Sequence, residues 1–199
     1  MKYQIDDSYI DDIPSAALYR QTIDHYPKST IGCFIISDNW DEQALLELKK
    51  KSGACFLVGL QIDDMDFERL DIVEGVVRCQ LDEVNQVVKL LDISPRGLIS
   101  IDINDIKSLF ECGCPFEFIQ ASTTGEPESD LIKAATQQLV SQLDKARNTK
   151  GLLVTIESIE SPSPDTLSYI SEAVENSLSI DDEFIYYSAS IIDEPDFFV

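Results

Sequence analysis

From Thr30 onward, apolar and polar positions fall into blocks that read as strand, helix, strand. The run IGCFIIS at 31–37 is almost continuously apolar, as a strand buried on both faces requires. A helical stretch follows at 41–52, with Ala44, Leu45 and Leu48 on one side and Gly53 after Lys49, Lys50 and Lys51 as its expected C-terminal signal. A second apolar run, ACFLVGL at 54–60, completes a predicted right-handed βαβ unit with parallel strands. DIVEGVVRC at 71–79 predicts a third strand, and a helix from Leu81 repeats Val84, Val88 and Leu91 at helical spacing until Pro95 and Gly97 end it. Residues 1–30 are acidic, are broken by Pro14 and Pro27, and show only a weak helical stretch around SAALYRQTIDHY.

The second half alternates again. Asp102 is a good helix N-cap, Asp105 sits at N3 where an acid favours the helix dipole, and Ile103, Ile106, Leu109 and Phe110 form an apolar stripe closed by Gly113. Strand PFEFIQAS at 115–122 is expected next, then a helix from about 127 to 147. Pro127 fits its first turn, and Leu131, Ile132, Ala135, Leu139, Val140 and Leu143 supply its buried face. Strand GLLVTIESI at 151–159, a helix at 165–178 with Leu167, Ile170, Val174 and Leu178, and strand EFIYYSASII at 183–192 make this half βαβαβ. The cluster SPSPD at 161–165 reads as a strand-to-helix turn.

Composition narrows the function classes. At 199 residues and 44% hydrophobic content the chain can bury a substantial core. Fifteen basic against 37 acidic residues give a net charge of −22, so phosphate backbones and anionic lipid surfaces are repelled, and neither nucleic acid nor membrane is an expected partner. The longest apolar runs are too short to span a bilayer, and MKYQIDDSYIDD lacks the order of a signal peptide, so the expected location is the cytoplasm.

Cys33, Cys55, Cys79, Cys112 and Cys114 are odd in number and lack framework spacing. They read as reduced thiols. The CxC pair at Cys112 and Cys114 has no second pair beside it, and His25 is the chain's one histidine, so neither a four-ligand metal site nor a histidine-activated nucleophile is expected. His25 is assigned to the surface, and no cofactor is expected.

Residues 93–110, ISPRGLISIDINDIKSLF, carry the clearest motif. Their order resembles the segment of the bacterial tubulin relative FtsZ that follows its central helix, a pattern of the type ITxPGLxNVDFADV. Ile93, Ser94, Gly97, Leu98, Asp102 and Asp105 match it, Pro95 and Arg96 stand in swapped order, and Ser100 replaces the family's Asn. TTGEPESDLIKAAT resembles the family's ASGEDRAEEAA segment, and GLLVTIES through SIIDE resembles its GVLVNITG strand, helix and strand ending in IDE. The likeness covers residues 81–195 and is faint over 31–80. In that family the acidic loop enters the nucleotide site of the next subunit in a filament and helps position the water that attacks GTP. The resemblance therefore implies that Ser100, Asp102 and Asp105 form half of a composite site, a role compatible with helix capping.

The other half is missing. The family's phosphate loop, close to GGGTGTG, lies between a strand and a helix, where glycine amides and a helix N-terminus approach phosphate. Here that position reads Ser37, Asp38, Asn39, Trp40, Asp41, without glycine and with two carboxylates. At about 4 Å a like-charge pair costs roughly 1 kcal/mol even in water.

The expected fold class is α/β, a truncated three-layer nucleotide-domain remnant with parallel strands followed by an FtsZ/tubulin C-terminal-domain-like α+β sheet with helices. Its expected parts are residues 1–30, unassigned; 31–80, the remnant; 81–98, a connecting helix and loop; and 99–199, the C-terminal domain. A sheet truncated in this way needs residues 1–30, a second copy or another protein over its open edge. After Glu194 only PDFFV follows, where the family has a further strand and a tether-recruiting tail, so no such tail is expected to operate. The implied function is a non-enzymatic, degenerate FtsZ-like protein that binds FtsZ or itself and modulates or caps filaments in cell division. The alternatives are a GTPase completed by self-association and a stand-alone scaffold.

Overall fold

In the computed structural model, which describes residues 14–21, 25–38, 40–62, 70–93, 99–111, 115–123, 128–143, 150–178 and 184–192, four parallel strands lie side by side in sequence order. They are β1 (Ala16–Tyr19), β2 (Ile31–Ile35), β3 (Phe56–Gln61) and β4 (Val73–Arg78). The short β5 (Phe116–Glu117) takes the fifth place in the sheet order. The architecture is α/β. The chain divides into two compact units, Met1–Ser94 with Gly113–Phe116 and Pro95–Cys112 with Glu117–Val199.

Every residue of β2 and β3 is buried, as their unbroken apolar runs require. Helix α1 (Glu42–Ser52) joins them. Asp41 caps its first turn, its Oδ1 accepting from Ala44 N at 2.7 Å, and Gly53 closes it with φ 76°, the left-handed geometry that glycine adopts without penalty. Leu45 and Leu48 turn inward onto Phe34, Trp40, Leu57 and Val73, while Ala44 is half-buried at the margin. The hydroxyl of the fully buried Tyr19 donates to Pro27 O at 2.6 Å and lies 2.8 Å from Ser29 Oγ, which satisfies the one polar atom that Tyr19 brings into this core.

The weak helix expected around SAALYRQTIDHY is corrected: Ala16–Tyr19 is a strand, paired with β2 from Ala16 opposite Ile31 to Tyr19 opposite Phe34. A distant clasp decides this. Asp92, just past α2 (Val84–Leu91), accepts from Ser15 N at 2.7 Å and Ala16 N at 3.4 Å, while Ser15 Oγ donates to Ile93 O at 2.9 Å. Part of residues 1–30 therefore extends the edge that the sequence left open. Helix α2 begins in a 3-10 turn at Leu81–Glu83 and buries Val84, Val87 and Leu91; Val88, expected inward, is half-buried.

In the second unit, α3 (Ile103–Glu111) buries Ile106, Leu109 and Phe110, with Ile103 half-buried. Its expected closure at Gly113 lies outside the described residues, as do Pro127 and residues 94–98. Helix α4 (Glu128–Leu143) packs on α5 (Pro164–Ser177), which starts one residue earlier than the pattern suggests because Ser163 caps it through Thr166 N and Pro164 occupies its first turn. Strands β6 (Gly151–Ser158) and β7 (Phe184–Ile191) pair in parallel through all eight positions, around a core of Leu143, Val154, Ile170 and Val174.

The strand expected at 115–122 is corrected. Only Phe116–Glu117 is strand, so the expected βαβαβ order of this half stands with its first strand cut to two residues and placed in the five-stranded sheet. Gln142 Nε2 of α4 donates to Gln120 O at 3.0 Å, taking up a backbone acceptor that a ladder would use, and Thr123 Oγ1 ties the end of the segment to α4 by donating to Leu131 O at 2.8 Å.

Tyr187 brings a buried hydroxyl into this core with no hydrogen-bond partner among the described residues. Burial and, secondarily, Glu175 push its pKa up to about 12. Removing the hydroxyl in Tyr187→Phe is expected to leave stability unchanged or raise it by up to about 1 kcal/mol at neutral pH, because no partner is orphaned. The unfolded tyrosine ionises near pH 10 and the folded one near 12, so ionisation favours the unfolded chain as pH rises through that window. Urea unfolding at pH 7 and pH 11 should show a smaller alkaline loss for the variant than for the wild type. A destabilised variant at pH 7 would mean that the hydroxyl has a partner.

Candidate functional site

The motif places Ser100, Asp102 and Asp105 at the start of α3, and all three are there in the fold. Ser100 and Asp102 are exposed and Asp105 is half-buried. Asp102 Oδ1 accepts from Asn104 N at 2.6 Å and Asp105 N at 3.1 Å, while Asp105 Oδ2 accepts from Asp102 N at 2.8 Å. This is a reciprocal capping box in which Asp stands at N3. Both carboxylates face the positive end of the helix, where their charge is favoured by roughly 0.3–1 kcal/mol each. Capping and presentation to a partner do not compete for the same atoms, since each carboxylate retains an oxygen beyond the one used in the box.

Ahead of the helix, Ile99 is fixed by a backbone pair with Ala189 in β7. Ile99 N donates to Ala189 O at 3.3 Å and Ala189 N donates to Ile99 O at 3.0 Å. Ile101, 9% exposed, is the buried residue between the exposed Ser100 and Asp102. The loop thus alternates an inward apolar anchor with outward polar groups, and its exit geometry is set on both sides of Ser100.

The start of α1 is built differently. Asp41 occupies its N-terminus with its own carboxylate, Glu42 adds a second acid in the first turn, and Asp38 in the preceding 3-10 turn lies 3.7 Å from Arg20 Nη1. An anion approaching here meets charge of its own sign, and one of the amides it would need is already taken. Asn39 lies outside the described residues.

Two of the thiols offer little chemistry at neutral pH. Burial pushes Cys33 up to about 12 and Cys79 to about 11, so both stay protonated. Cys55 is exposed, and Cys112 and Cys114 lie outside the described residues. His25 is exposed, and no cluster of three or more His, Cys, Asp or Glu side chains with metal-binding geometry occurs among the described residues. None of the described helices is long and apolar enough to cross a membrane.

Sequence reasoning missed Glu74, a carboxylate inside β4 that binds both Lys49 Nζ, at 2.5 Å, and Leu57 N, at 2.6 Å. An acid in the middle of an apolar run, followed by Gly75, was the available signal. Its role is internal to the sheet and does not extend the candidate site. Comparison of the chain with protein-family models, with curated proteins and with solved structures gives no match.

Proposed function

We propose that this chain is a non-enzymatic, FtsZ-like interaction protein that docks on the nucleotide-bearing face of an FtsZ-type subunit through Ser100, Asp102 and Asp105, and so caps filaments or alters GTP turnover. On this reading the first unit is a remnant of the nucleotide domain and the second corresponds to the family's C-terminal domain. The observation that carries the reading is the contrast between two helix N-termini. That of α3 presents two acids in a fixed box at the surface, whereas that of α1 is closed by Asp41. A chain with the acidic half of a composite site and a blocked phosphate half acts on a nucleotide held by another subunit.

The test is to add the protein in excess to purified FtsZ and follow GTPase rate and polymer mass. The expected result is a several-fold change with the wild type and none with the double variant Asp102→Asn, Asp105→Asn. Asparagine still caps a helix, so α3 is retained while both charges go. No change with the wild type, or the same change with a folded double variant, would sink the proposal. Calorimetry with GTP is expected to show no binding to the chain alone; saturable binding would favour a self-completed GTPase instead.

A further inference from the structure

No further inference is drawn: the strongest candidate, the edge of β6 that faces away from β7 and that no described strand pairs with, carries nothing because nothing in the structure shows what covers it.

Discussion

Replacing Glu74 with alanine is expected to lower the unfolding free energy by about 2–3 kcal/mol. The ladder between β3 and β4 shifts at this point: Leu57 is opposite Val73 and Val58 is opposite Gly75, which leaves Glu74 as the extra residue of a bulge. A bulge costs its partner strand a backbone acceptor. Glu74 supplies the substitute, its Oε2 accepting from Leu57 N at 2.6 Å while Oε1 binds Lys49 Nζ at 2.5 Å. Leu57 is fully buried, so its amide has no water to turn to once the carboxylate is gone.

The ion pair itself contributes less. Its side chains are 28% and 35% exposed, and Lys49 can swing into solvent. Glu74→Gln, which keeps an acceptor for the amide, should therefore cost about 1 kcal/mol, and Lys49→Met less than about 1. Urea unfolding of the three variants gives the ranking. If Glu74→Ala and Lys49→Met prove equal, the amide is not what Glu74 serves.

Gly32→Val is expected to cost about 3 kcal/mol or more, with Gly32→Ala costing about 1–2. Strand propensity alone points the other way, since valine suits a strand and glycine weakens one. Packing decides. A Cβ at Gly32 would stand 2.7 Å from Leu57 Cδ2, 3.4 Å from Ala54 Cβ and 3.6 Å from the Tyr19 ring. Leu57 and Tyr19 are both fully buried, so the leucine cannot turn away without entering space already filled. Thermal unfolding followed by circular dichroism measures both substitutions; a Tm for Gly32→Val at or above that of the wild type would show that the sheet spacing at β2 relaxes freely.

The elements fixed by local chemistry were legible in the chain itself. Asp41 and Gly53 bracket α1 as their residue types require, and the Asp102 and Asp105 spacing predicts the capping box found at α3. What escaped was decided at long range. The four residues of β1 carry no period long enough to distinguish strand from helix, and pairing with β2 and the clasp from Asp92 make them a strand. Segment 118–123 has a strand's composition, but bonds to and from α4 draw it out of any ladder. In the candidate site the acids stood out by spacing.

The clasp at Ser15 also sets an order of events. Its donor and acceptor are 77 residues apart, so during synthesis the first strand emerges long before the carboxylate that secures it. Until Asp92 arrives, the Ser15 and Ala16 amides have no acceptor from α2, and β1 rests on β2 alone. Strand β1 is thus among the last parts of its sheet to be locked, and a nascent chain halted before α2 holds it by its ladder to β2 alone.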